Sequence, residues 1–204
     1  MLTCLENSNF TNALKIIATQ SRRSDLSPVL LSDVHRNLGR LTSYEYVKHF
    51  SLDSIEIAHV QGIRKGFGIS PDDFTLILTM MRSGLFIAEG FREIIDNHCR
   101  MEFIYQHTDV NSIFQNYDCV RVHIALIDSV INTGNSITKM LDSIPKCKSL
   151  TVICQVMFKE FAESDLVQCS DIHFITCRIS ENYYVGRGKT DTGDRLLGHY
   201  PEFE

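Results

Sequence analysis

The chain has 204 residues, 44% of them hydrophobic and 22% charged, the composition of one folded domain rather than of a disordered or low-complexity chain. Its net charge of -5 sets it against duplex nucleic-acid binders, which carry a basic face, but leaves a small anionic ligand open, since a few local cations and helix N-termini hold one. No apolar run approaches the ~20 residues of a helical membrane span, so no membrane partner is expected. The N-terminus lacks the basic-then-apolar pattern of a secretory signal. Seven scattered cysteines without a C-x-x-C pair suggest neither a zinc site nor a disulfide framework, and point to a reducing, cytoplasmic setting.

In chain order, residues 1–30 are predicted as a helical arm, with Phe10, Ala13, Leu14 and Ile17 on one stripe and Thr11 or Ser8 as its cap. A charged turn over 21–28 leads to a second helix expected over 32–50, and Gly62–Pro71 is a glycine-containing break. The pattern then becomes regular. Phe74–Met81 is a buried-strand candidate, Arg82-Ser83-Gly84 interrupts it, and Leu85–Asn97 has helical spacing. Glu102–Tyr105 is a short strand, Asn111–Asp118 a polar loop and Val122–Ile127 a strong strand. Asp128–Asn135 is a loop opening a helix over Ser136–Ile144, whose apolar residues Ile137, Met140, Leu141 and Ile144 share one face. Leu150–Met157 is a third apolar strand, Lys159–Gln168 a helix, and Ile172–Thr176 a fourth.

Apolar strands alternating with helices imply an α/β fold, a central mostly parallel sheet covered on both faces. Right-handed crossovers place the loops at the strands' carboxyl ends on one edge, where such folds bind ligands. Three stretches meet there: Arg82–Gly84, Asp128–Ser136 and the glycine-rich tail Gly186–Gly198.

The most informative stretch is Leu126-Ile-Asp-Ser-Val-Ile-Asn-Thr-Gly-Asn-Ser-Ile137. A hydrophobic strand runs into an acid, then a turn, then Thr-Gly-Asn-Ser at a helix start. Unpaired N–H groups and the helix dipole suit a phosphate monoester, Thr133 and Ser136 add hydroxyls, and Gly134 permits close backbone approach. Asp128 is placed to accept hydrogen bonds from a diol. An ordinary turn with an N-cap reads equally well on this local pattern. No G-x-x-x-x-G-K and no G-x-G-x-x-G is present, which argues against an NTPase or a dinucleotide enzyme.

This loop resembles the ribose-phosphate loop of the type I phosphoribosyltransferases, and three further stretches are similar to their uracil phosphoribosyltransferase branch. Gly188-Lys-Thr-Asp-Thr-Gly-Asp-Arg-Leu-Leu-Gly198 resembles its tail signature G-x-G-D-x-G-D-R-x-x-G, Met81-Arg-Ser-Gly-Leu85 its L-R-A-G-L, and Gly39-Arg-Leu-Thr-Ser-Tyr-Glu45 its G-x-L-L-x-Y-E. The four matches are collinear over roughly residues 30–200. The resemblance implies one Rossmann-like domain over 1–204, with the helical arm over 1–30 and a C-terminal base-binding hood over 178–204. It implies transfer of ribose 5-phosphate from 5-phosphoribosyl-1-pyrophosphate to uracil, giving UMP and pyrophosphate, in a homodimer. Asp128, Arg82 and Asp191 are then the catalytic residues. The 5′-phosphate would be held by Asn132, Thr133, Gly134, Asn135 and Ser136 and the ribose hydroxyls by Asp128. Pyrophosphate would be held by Arg82, Ser83, Gly84, Gln106 and His107, and the base by Tyr184, Val185, Gly186, Gly188, Thr190, Asp191 and Thr192. Mg²⁺ would ride mainly on substrate oxygens, with Asp191 reaching it through water. Asp194 and Arg195 would pair with each other or with a neighbour.

The chain also departs from the family. Tyr105-Gln-His-Thr-Asp109 stands where the family has Y-R-N-E-E, so its pyrophosphate-holding Arg is absent. Losing a charge there costs roughly 100-fold in rate or more. D-P-x-x-A-T-G-G-S becomes Asp128-Ser-Val-Ile-Asn-Thr-Gly-Asn-Ser136, with Asn135 the non-glycine best suited to a positive φ, and Thr190 replaces a Gly. Two other readings follow from these changes: a phosphoribosyltransferase for another base, or a non-catalytic nucleotide-binding or regulatory protein on the same fold. The eight histidines show no metal spacing, and His123, within an apolar strand, reads as structural.

Overall fold

In a parallel sheet buried on both faces, alternate residues of each strand feed different cores, and this chain is built that way. A computed structural model describes residues 1–7, 11–105, 108–169, 171–184 and 186–199. In chain order the elements are β1 (Leu2–Cys4), α1 (Thr11–Ser21), α2 (Pro28–Tyr46), β2 (Leu52–His59), β3 (Gly62–Ile69), β4 (Thr75–Met80), α3 (Leu85–Ile95), β5 (Cys99–Ile104), α4 (Val110–Phe114), β6 (His123–Ile127), β7 (Val130–Ile131), α5 (Asn135–Leu141), β8 (Ser149–Phe158), α6 (Lys159–Ala162), α7 (Asp165–Cys169), β9 (His173–Ser180) and α8 (Thr192–Leu197). The main sheet runs β1-β9-β8-β6-β4-β5, with β7 also on β8, and every pairing in it is parallel.

Leu76, Leu78, Ile124, Leu126, Val152 and Cys154 point to one face, under Ile137, Met140 and Phe161 of α5 and α6. Ile77, Ala125, Ile127 and Ile153 point to the other, under Leu14, Leu38, Ile87 and Phe91 of α1, α2 and α3. Helices α2 and α3 approach until their backbones touch. A Cβ on Gly39 would lie 2.1 Å from the Ile87 carbonyl oxygen, and one on Gly90 2.0 Å from that of Arg36. Gly39, part of a family-like segment, is therefore a packing residue. Ion pairs Arg36–Glu89 and Arg40–Glu93 close the rim of that contact.

The amino ends of three strands are tied by one polar cluster. Asp73, His123 and Ser149 stand at the starts of β4, β6 and β8, with His123 Nδ1 2.6 Å from Ser149 Oγ and Nε2 3.0 Å from Asp73. Lys148 and the Ser51 amide also donate to Asp73. Burial alone would raise that carboxyl, yet Lys148, His123 and Ser51 together hold it down to about 2. The structural reading of His123 agrees with this position, at the sheet edge opposite the candidate site.

Several elements differ from the sequence expectations. The arm is not wholly helical: Leu2–Cys4 pairs with β9 as an edge strand, a three-residue stretch too short to show a period. In α1 the buried stripe is Leu14, Ala18 and Ser21 with Ile17 beside it, and Ala13 faces solvent. Ser8 and Phe10 lie outside the described residues. The second helix starts earlier, because Ser27 caps it and Pro28 occupies its first turn. The predicted break at Gly62–Pro71 is mostly strand, paired antiparallel with β2 in a hairpin off the main sheet. The predicted loop 111–118 holds α4, capped by Asp109. The 159–168 helix is two short ones, and β9 continues to Ser180, so the hood's first residues are strand. No helix among the described residues is long and apolar enough to cross a membrane.

Candidate active site

The carboxyl ends of β4 and β6 face each other across a gap that glycine alone can fill. A Cβ on Gly84 would lie 2.6 Å from the Ile127 carbonyl oxygen and 2.8 Å from that of Met80. This packing sets Arg82-Ser83-Gly84 directly beside Asp128. Ser83 donates its hydroxyl to Asp128 Oδ1 at 2.6 Å, and the Ser129 amide donates to the same oxygen at 2.6 Å. Burial raises the Asp128 carboxyl above its ordinary value and the charge of Asp191 acts in the same sense, while hydrogen bonds from Ser83, Ser129 and Val130 oppose them. The Met81–Arg82 peptide bond is cis.

The tail closes over this edge. Asp191 caps α8, accepting from the Asp194 amide at 2.9 Å. Arg82 places a guanidinium nitrogen 2.8 Å from Asp194 and 3.9 Å from Asp191. Asp194 therefore pairs with Arg82 and not with Arg195, which donates instead to the Arg23 carbonyl.

After Asp128 the chain adds the short strand β7 within the predicted loop, then turns at Gly134. Gly134 is left-handed (φ 74°), and a Cβ there would lie 2.0 Å from the Phe161 ring. Asn135 does not take a positive φ; Gly134 alone makes the turn, so the change from Gly to Asn carries no strain at that position. Thr133, Asn135 and Ser136 are exposed around the turn. The Asn132 side chain is turned away from it, toward the tail. Its amide nitrogen donates to the Tyr184 carbonyl and its oxygen accepts from the Tyr184 amide, which fixes the side chain on the tail and leaves one N–H of its amide for a ligand.

Among the predicted base residues, Thr190 folds its hydroxyl back onto the Arg187 backbone, accepting from its amide and donating to its carbonyl at 3.0 Å each. Gly188 is left-handed. Gly186, Asp191 and Thr192 are half-buried beside this loop. Gln106, His107 and Val185 lie outside the described residues. Sequence reasoning missed Asp194 as the partner of Arg82. It also missed a cavity of about 300 Å³ reached from the Asn132–Tyr184 contact. The signal for the cavity was Gln155 and Arg178, polar positions inside otherwise apolar strands.

The family profile described as uracil phosphoribosyltransferase matches residues 9–198, and the chain belongs to that family, whose enzymes are pentosyltransferases. It is 23% identical over 192 residues to the uracil phosphoribosyltransferase of Malacoplasma penetrans, covering 88% of this chain and 92% of that one. It is 24% identical over 194 residues to that of Dictyoglomus thermophilum, with the same coverage. The solved structure of the AQ2163 protein from Aquifex aeolicus superposes with a TM-score of 0.76 at 17% identity, over 98% of this chain and 100% of that one, a likeness of fold.

Proposed function

We propose that the chain transfers ribose 5-phosphate from 5-phosphoribosyl-1-pyrophosphate to uracil, releasing pyrophosphate and forming UMP. The observation that carries this is the meeting, at one sheet edge, of Arg82, the Ser83–Asp128 hydrogen bond and the Asp191 cap. In this reading Asp128 accepts from the ribose hydroxyls beside the developing positive charge at C1, and its partner Ser83 keeps the carboxylate oriented. Arg82, with the Ser83 and Gly84 backbone, takes the pyrophosphate as its charge grows. The turn over Thr133–Ser136 takes the 5′-phosphate, with Asn132 beside it, held in place by Tyr184. Tyr184, Gly186, Gly188, Thr190 and Thr192 frame the base, and Gln106, His107 and Val185 keep the roles that the resemblance implies.

Mg²⁺ fits this site as a substrate-borne ion. Asp128 and Asp191 offer hard oxygens, yet no cluster of three or more metal-ligating side chains occurs among the described residues, so substrate and water would supply the other ligands. When bound, Mg²⁺ neutralises pyrophosphate charge. The scattered cysteines, with no C-x-x-C pair, are what a reducing cytoplasmic setting rests on.

The β2–β3 hairpin supports a homodimer. A two-stranded ribbon is marginal alone in water, and this one exposes Leu52, Ile55, Ile57, Ile63 and Phe67; a second copy is the occupant proposed for it. Phe67→Lys is expected to shift sedimentation toward monomer, and unchanged sedimentation would remove the hairpin from the interface. The reaction itself is tested by pyrophosphate release with Mg²⁺, 5-phosphoribosyl-1-pyrophosphate and uracil. Turnover is expected, and silence with UMP still bound would leave a nucleotide-binding protein.

A further inference from the structure

The cavity beyond Asn132 and Tyr184 has a charge that the transfer of a neutral base does not use. Its volume is about 300 Å³, the size of one ring with a substituent. Arg22, Arg178 and Arg195 line it, and no Asp or Glu is among its lining residues. None of the three forms an ion pair among the described residues. Arg22 donates to the Thr19 hydroxyl and Arg195 to the Arg23 carbonyl, both neutral acceptors. Arg178 Nε is shut off from solvent and has no hydrogen-bond partner among the described residues. The guanidinium of Arg178 is thus uncompensated, and guanidinium is the side chain best matched to a carboxylate or phosphate.

The neighbours accentuate this. Burial lowers the Arg178 pKa and the nearby charge of Arg22 lowers it further, with Glu6 acting the other way more weakly. His35, also in the lining, is held neutral, its pKa lowered by burial and by Arg195 to about 3. An anion entering here would relieve the repulsion between guanidiniums in a chain that is acidic overall.

We propose that this cavity is an anion site that takes the carboxylate or phosphate of a single-ring ligand, with Arg178 and Arg22 as its main contacts. The site does not depend on uracil turnover. Tyr184 and Thr192, which the proposed reaction assigns to the base, also line it, so its occupant is either a base that carries an acid group or a separate ligand acting on that segment.

Calorimetry on the full chain with uracil-6-carboxylate and with phenyl phosphate tests it. At least one of the two acids is expected to bind about tenfold more tightly to the native chain than to Arg178→Gln, with Arg178→Lys intermediate. Arg22→Gln, on an exposed side chain, is expected to weaken the same acid and carries the test should Arg178→Gln fail to fold. Pyrophosphate release with uracil-6-carboxylate would assign the acid group to a substrate, and Arg178-dependent binding without release would assign it to a regulatory ligand. Binding of both acids within twofold across native, Arg178→Gln and Arg22→Gln proteins of equal melting temperature would overturn the site. A failure of uracil turnover alone would strike the proposed reaction and leave this binding result standing.

Discussion

Arg82 and Asp194, 112 positions apart in the chain, meet at 2.8 Å over the carboxyl end of the sheet. The pair joins the proposed pyrophosphate turn to the tail signature. Both side chains keep access to water, so the contact itself contributes little to stability, of order 1 kcal/mol or less. Its consequence is positional: Arg82 is held above Asp128 before any ligand arrives.

Arg82→Ala is expected to weaken 5-phosphoribosyl-1-pyrophosphate and pyrophosphate about 100-fold while changing UMP affinity severalfold at most. Asp194→Asn, which keeps Arg82 but loosens it, should raise the KM for 5-phosphoribosyl-1-pyrophosphate less than about tenfold. Equilibrium binding of the three ligands checks the first and steady-state kinetics the second; equal losses for UMP and pyrophosphate in Arg82→Ala would contradict the clamp.

Asp128→Asn should lower kcat by roughly 100-fold or more with little change in melting temperature, since the amide is near-isosteric. Ser83→Ala removes a hydrogen bond that holds the Asp128 carboxyl down against burial. The acidic limb of kcat/KM is therefore expected to move to higher pH in Ser83→Ala. A limb that stays in place would mean that Asp128 is not the group titrating.

Gly134→Ala combines a left-handed φ with a Cβ 2.0 Å from the Phe161 ring. A loss of about 2–4 kcal/mol in unfolding free energy is expected, of which ~1–2 belongs to the backbone. Phe161→Leu added to Gly134→Ala should restore only the steric part. Denaturant titration of the single and double variants separates the two, and complete rescue would mean that the backbone term is absent.

His35 is buried with its pKa lowered to about 3. In the unfolded chain it protonates near pH 6.5, so below that pH the unfolded state binds the extra proton and stability falls with acid, by up to about 1.4 kcal/mol per pH unit. Asp73, lowered to about 2, adds its loss only below about pH 4. His35→Gln is expected to flatten the dependence between pH 6 and 4, and urea midpoints across that range measure it; parallel curves would show that His35 titrates normally.

The parallel sheet and the edge that carries the proposed site were legible in the sequence. Near-continuous apolar runs in Thr75–Met80, His123–Ile127 and Ser149–Phe158 can be buried only between two helical layers, and the shared sheet edge then brings Arg82 and Asp128 together. The hairpin was not legible, because Gly62, Gly66 and Gly68 read as a break; across the ribbon a Cβ on Gly66 would crowd Ile57 and one on Gly68 would crowd Ile55, at 3.1 Å each. Nor did any local signal pair Asp194 with Arg82, turn Asn132 onto Tyr184, or gather three arginines around one cavity. Those contacts join residues far apart in the chain, and a side chain's partner is decided by where the whole fold places it, after periodicity and propensity have done all that neighbouring residues can.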